Sequence, residues 1–179
     1  MTTNNPGTLT IRECRSGDLD WLELLYPAAF PEEDLLPLVR AMMNSSAAML
    51  PLVAELDGVG AGHAVFTLGV IEETEQSIAL LGPVAVDPGH QRSGIGSAII
   101  LEGLDRLKTD GIEQVFVLGD PAYYGRLGFL PGAKVKPPYD LPVEWSDAWQ
   151  YLVLADTDVA DEERLSLPEF WMRPELWGE

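Results

Sequence analysis

One cysteine, Cys14, is present among 179 residues, so an intramolecular disulfide and any multi-cysteine metal site are excluded. Histidine is almost as scarce: only His63 and His90 occur, which makes a zinc enzyme improbable and leads us to expect no metal. Long apolar runs are missing too. No stretch approaches the roughly eighteen apolar residues of a membrane span, and the start, Met-Thr-Thr-Asn-Asn-Pro-Gly, has neither the basic nor the apolar segment of a signal peptide. A cytoplasmic protein is expected. Positive charge is the last shortage: 11 bases face 29 acids, a formal net charge of −18. Such a surface repels phosphate backbones and anionic lipid, so neither nucleic acid nor membrane is expected as a partner. It favours a cationic acceptor only weakly, because acidity also serves solubility.

What is plentiful is apolar material, 46% of the chain, enough for one continuous core in a single domain. Short alternating or apolar segments predict strands at residues 9–13, 50–56, 60–71, 77–86, 113–118 and 149–154, the last being the final strand. Asp57-Gly58 predicts a hairpin turn, and Gly82-Pro83 a bulge in an otherwise wholly apolar, central strand. Helices are predicted over 16–29, with Ser16 as cap, over 32–44, and over 94–109. A short helix follows, capped by Asp120 with Pro121 at its first position and ended by Gly128. The proline-dense stretch 131–147 reads as a long loop or broken hairpin. Residues 156–179 form an acidic tail whose Phe170, Trp171 and Trp177 predict docking and not disorder.

Chemistry concentrates where the 77–86 strand runs through a tight turn into Gln91-Arg92-Ser93-Gly94-Ile95-Gly96 and a helix. Helical N–H groups there lack intrahelical partners, the macrodipole is positive, and glycines let an anion approach the backbone. Gly-x-Gly at a helix start also serves as plain turn geometry. The Lys-Ser/Thr pair of a P-loop is absent, since Ser97-Ala98 follows Gly96, and the loop lacks the third small residue and early position of a dinucleotide fingerprint.

This loop resembles the Gln/Arg-x-x-Gly-x-Gly/Ala loop of the GNAT superfamily of N-acetyltransferases. The later Asp120-Pro-Ala-Tyr-Tyr-Gly-Arg-Leu-Gly-Phe129 resembles a shortened form of that family's tyrosine-bearing helix, in a Gly-Asp-Pro-Ala-Tyr-Tyr-Gly-Arg-x-Gly-Phe variant similar to one uncharacterised bacterial branch. The resemblance implies an α/β (α+β) GNAT fold with a mixed, mostly antiparallel sheet, a splayed bulged strand and flanking helices. It places the acetyltransferase domain at 8–155 and the tail at 156–179. It implies acetyl-CoA as cosubstrate, bound by Val84, Ala85 and Val86 of the splayed strand and by Gln91, Arg92, Ser93, Gly94, Ile95, Gly96 and Ser97 of the loop and helix start. Tyr124 falls on the family's tyrosine and is the candidate acid for the departing thiolate; Tyr123 reads as core or substrate wall. The expected reaction is direct acetyl transfer to a primary amine of a small molecule or protein. A silent acyl-CoA sensor or protein-binding module is the alternative, and a homodimer is left open. No base is evident: Asp120 could help but more commonly serves as a cap, His63 reads as a satisfied core histidine, His90 as exposed beside the cofactor, and Glu72, Glu73 and Glu75 as solvated, with a water relay from one of them to the amine left open.

Overall fold

The computed structural model describes residues 7–158 and 161–178. Eight strands form one sheet in the order β1-β2-β3-β4-β5-β7-β6, with β8 beside β3. They are β1 (Leu9–Glu13), β2 (Met49–Leu56), β3 (Val59–Ile71), β4 (Ser77–Val86), β5 (Gln114–Leu118), β6 (Leu130–Pro131), β7 (Trp149–Val153) and β8 (Leu165–Ser166). Of the pairings among these strands, only β4 with β5 is parallel, the crossover being made by the intervening helix. The strand at 149–153 is not the last one: β8 adds two residues beside the end of β3, Val70 facing Ser166 and Ile71 facing Leu165. Among the described residues four α-helices accompany the sheet: α1 (Leu19–Ala29), α2 (Leu36–Met43), α3 (Ile95–Thr109) and α4 (Pro121–Tyr124). Among the described residues no helix is long and apolar enough to cross a membrane.

Strand alternation sorts the core onto two faces. Ala79 and Leu81 of β4 join Phe66, Val115 and Val117 beneath the buried Ile99, Ile100 and Leu104 of α3. Their neighbours Ile78 and Leu80 point the other way, against Leu38 and Met42 of α2 and against Leu165, Trp171 and Trp177 from beyond β7. The indole N–H of Trp171 donates to the buried Thr67 hydroxyl of β3 at 3.0 Å, and that of Trp177 to the Trp171 carbonyl at 2.9 Å.

Two helix starts differ from the sequence expectation. Ser16 caps nothing; a single 3-10 turn covers Ser16–Asp18, and the Asp18 carboxylate takes the Arg15 N–H at 2.7 Å. Arg12 holds Asp18 in place by two 2.8 Å bonds and reaches Glu55 of β2, so the guanidinium keeps the Asp18 carboxyl down at about 2. The second helix starts at Leu36 and not at residue 32, which puts Pro37 in the first turn. A helix from 32 would have needed the N–H that Pro37 lacks.

His63 of β3 is fully buried, and its Nδ1 shares a 2.7 Å hydrogen bond with the Tyr26 hydroxyl of α1. Nε2 is buried without a hydrogen-bond partner, so this core histidine is only half satisfied. Burial pushes the imidazole down to about 4, the nearby Asp18 charge opposing weakly. The unfolded chain therefore binds the proton first, and stability present above the unfolded value of about 6.5 falls as pH drops from there toward 4. We expect an acid-induced loss on the order of 3 kcal/mol from this residue alone. Urea unfolding at pH 7 and pH 4.5 checks it: His63→Gln should lose distinctly less stability over that interval than the wild type, and equal losses would assign the acid sensitivity elsewhere.

Candidate active site

The splay that opens the site is set by the β4 bulge. Ala64 of β3 faces Val84, but Phe66 faces Leu81, so Gly82 and Pro83 stand opposite a single β3 residue. Pairing with β5 stops at the same point, Leu81 with Val117 being the last pair. Beyond it, residues 84–86 remain bonded to β3 alone, and their other backbone edge has no strand partner. The parting of β4 from β5 leaves a cleft of about 690 Å³ roofed by the start of α3, α4 and the end of α1.

At the start of α3, Gly94 has φ +85 and Arg92 φ +61, so the loop turns twice through left-handed backbone before the helix begins. Open space surrounds a Cβ placed on Gly94, so glycine is needed there for its dihedral. Gly96 is needed for room: a Cβ on it would lie 2.8 Å from the Tyr123 hydroxyl and 3.4 Å from Val86. The first intrahelical bond runs from Ala98 N–H to the Gly94 carbonyl at 3.0 Å, leaving the N–H groups ahead of it free of helical partners. Loop side chains hold the turn together. Asp87 accepts from Gly89 N–H at 3.1 Å and bonds His90 Nδ1 at 2.9 Å, Gln91 Nε2 donates to the Val86 carbonyl at 3.2 Å, and Ser93 donates to the His90 carbonyl.

From the sequence-assigned set, Val84, Val86, Gln91, Arg92 and Gly94 line the cleft, as do Ile95, Gly96, Ser97 and Tyr124. Ala85 turns its methyl to the opposite face, among Leu22, Leu25 and Tyr26, and Ser93 is occupied within the loop. Tyr123, His90, Ala29, Phe30 and Arg126 complete the lining. Arg126 and the α1 end carry no sequence signal strong enough to place them here. Arg126 sits 5.7 Å from the Tyr123 ring centre, so the cleft of this acidic chain has two arginines on its walls.

Tyr124 is held by its ring, which meets Tyr123 edge-on at 4.9 Å and Phe129 at 5.7 Å. Gly119 makes the space: a Cβ there would overlap the Tyr124 ring. Desolvation, with smaller contributions from Tyr123 and Asp120, pushes the Tyr124 phenol well above its ordinary value, so it is protonated at neutral pH. Asp120 is occupied as a cap, accepting from Ala122 N–H at 2.9 Å. Glu72, Glu73 and Glu75 are exposed in the turn between β3 and β4, at the opposite end of β4 from the cleft.

This combination of a one-sided strand edge, a glycine-turned helix start and a desolvated tyrosine agrees with the comparison of the sequence with known families, in which the Acetyltransferase (GNAT) family matches residues 19–129. The chain belongs to the GNAT acetyltransferase family. It is 36% identical over 119 residues to the uncharacterized N-acetyltransferase YjhQ of Escherichia coli K12, covering 63% of this chain and 66% of that protein. To the uncharacterized N-acetyltransferase YhbS of the same strain it is 30% identical over 143 residues, covering 78% and 83%. The crystal structure of E. coli YhbS in complex with CoA superposes with a TM-score of 0.83 at 26% identity over 97% of both chains. A Brucella melitensis GNAT acetyltransferase in complex with acetyl-CoA gives 0.73 at 28% identity, covering 92% and 99%. The sheet is thus the open, eight-stranded, mostly antiparallel GNAT sheet with flanking helices.

Blocking the helix start tests the cleft as a ligand site. Gly96→Val forces the Tyr123 hydroxyl and Val86 aside and fills the cleft beside the start of α3, so acetyl-CoA affinity is expected to fall at least about ten-fold. Calorimetric titration of the folded variant measures this. Wild-type affinity would remove the cleft from consideration.

Proposed function

We propose that this GNAT protein, of the branch carrying the Gly-Asp-Pro-Ala-Tyr-Tyr-Gly-Arg-x-Gly-Phe motif, transfers acetyl from acetyl-CoA directly to a primary amine in the cytoplasm. Residues 8–155 form the transferase domain and 156–179 the tail, which packs upon it through Leu165, Trp171 and Trp177. The observation that carries the reading is the β4 edge at 84–86, left without a strand partner beside a helix start that offers free N–H groups. A pantetheine arm can pair with such an edge as an added strand does, and a pyrophosphate suits the helix start. Arg92 and Arg126 supply the positive charge that the rest of this acidic surface withholds. Val84, Val86 and Ile95 give the apolar contacts. Ala85 contributes backbone only, and the Gln91 and Ser93 side chains act by fixing the loop.

Acetyl-CoA supplies an acyl group already activated as a thioester. The amine nitrogen forms the amide bond as the carbon–sulfur bond breaks. The acceptor ammonium first sheds one proton to solvent and attacks as the neutral amine. Tyr124, kept protonated by desolvation, then donates a proton or hydrogen bond to the departing sulfur. The second proton, lost by the nitrogen as the amide forms, restores the phenol or protonates the thiolate, so the products are the amide, the free CoA thiol and one proton. Among the described residues no cluster of three or more metal-ligating side chains occurs.

Thiol release over a panel of amines, run beside an acetyl-CoA titration, tests the proposal. Amine-dependent release of free CoA is expected. Saturable binding without release from any amine would instead make the protein an acyl-CoA sensor.

A further inference from the structure

A second cavity, of about 430 Å³, lies on the other face of the bulge. The two linings adjoin there: Pro83 lines this one and Val84 the cleft, while Gly119 lines this one and stands against the Tyr124 ring of the cleft. Both volumes fall in the range of small-molecule sites, roughly 300–1,000 Å³. Three indoles, Trp145, Trp171 and Trp177, wall the cavity, and Leu38, Leu80 and Leu118 add aliphatic surface. Trp171 reaches the bulge itself, its ring edge 3.7 Å from where a Cβ on Gly82 would stand. The N–H groups of Trp171 and Trp177 are spent on Thr67 and on the Trp171 carbonyl, so these indoles offer hydrocarbon faces.

The only charged side chains on the wall are carboxylates. Glu33, in the turn before α2, has no ion pair among the described residues, whereas Glu175 is held by Arg173 at 2.7 Å. No arginine, lysine or histidine lines this cavity, in contrast to the cleft.

We infer that this cavity takes the acceptor, and that the acceptor is a small primary amine with an aromatic or branched hydrocarbon body and no carboxylate or phosphate. The inference rests on the acetyltransferase reading and refines it. The hydrocarbon body fills the space between the indoles, while Glu33 attracts the ammonium. A carboxylate or phosphate would meet like charge without a counter-ion. Sugar hydroxyls would be buried against indole faces without partners. The tail is thereby a specificity element, since Trp171, Glu175, Leu176 and Trp177 all belong to the cavity wall.

The test uses the full chain with 2-phenylethylamine as probe. Three of the five tryptophans line the cavity, so tryptophan emission should change saturably with this amine, without any turnover. Phenylalanine, which adds a carboxylate, should bind at least about ten-fold more weakly. Trp145→Ala removes a half-exposed wall without opening the core, and Glu33→Gln removes the free carboxylate. Each should raise KM for 2-phenylethylamine by about three-fold or more while leaving acetyl-CoA affinity unchanged. Acetylation of glucosamine, spermidine or a lysine peptide with kcat/KM equal to or above that of 2-phenylethylamine would overturn the inference and leave the acetyltransferase reading standing. Acetyl-CoA binding with no acetylation of any amine would overturn both the substrate class and the enzymatic reading, as would failure to bind acetyl-CoA at all.

Discussion

Trp177→Ala is expected to destabilise the protein by about 3–5 kcal/mol, the usual cost of deleting a large buried aromatic side chain. Trp177 is the third residue from the end of the sequence, yet it is 1% exposed. Its ring packs at 5.9 Å against both Trp149 of β7 and Trp171, and its N–H is bonded. Removing it empties the centre of the cluster on the α2 face, which also contains Phe116, Leu80 and Met42. For a chain of this length the loss corresponds to a melting temperature lower by roughly 6–20 °C. Truncation after Asp156 should go further, because it also removes Trp171 and Leu165 and bares the end of β3. Scanning calorimetry of both variants measures the effect, and an unchanged melting temperature in the truncated protein would make the tail a mobile appendage.

That expectation could be framed from the sequence because three large aromatics in an otherwise acidic segment cannot all face water cheaply. Where they dock could not. The two-residue strand β8 is too short for any alternation to show, and its register is fixed by the end of β3, nearly a hundred positions away in sequence. The sheet was legible for the opposite reason. Its strands carry local signals: Asp57-Gly58 joins β2 to β3, with both turn residues at positive φ, and Gly82-Pro83 marks the bulge. Ser16 and residue 32 misled because a capping serine and apolar spacing are weak signals beside a partly buried, doubly bonded arginine–aspartate pair and a proline's missing N–H. The cleft at the start of α3 was readable as a contiguous loop motif. The second cavity was invisible, since its walls come from residues 33 to 177 and no local pattern links them.

Tyr124→Phe is expected to lower the rate of acetyl transfer by about 10²–10⁴-fold, the typical worth of acid–base assistance, with little change in acetyl-CoA affinity. The ring contacts that hold the residue, with Tyr123, Phe129 and the space over Gly119, are all made by carbon and survive the substitution. Only the hydroxyl is lost, and its value as a donor rests on staying protonated, which desolvation secures. A hydroxyl that merely wetted the cleft mouth would leave the rate unaltered. Steady-state turnover can hide the effect when product release limits it, so the decisive measurement is single-turnover transfer to a saturating amine. The pH profile adds a second criterion: because the phenol's value lies far above neutrality, the wild-type single-turnover rate should show no decline attributable to it below pH 9. Wild-type single-turnover rates in Tyr124→Phe would make the tyrosine a packing residue. Transfer would then rest on the proximity of the amine and thioester across the β4 bulge.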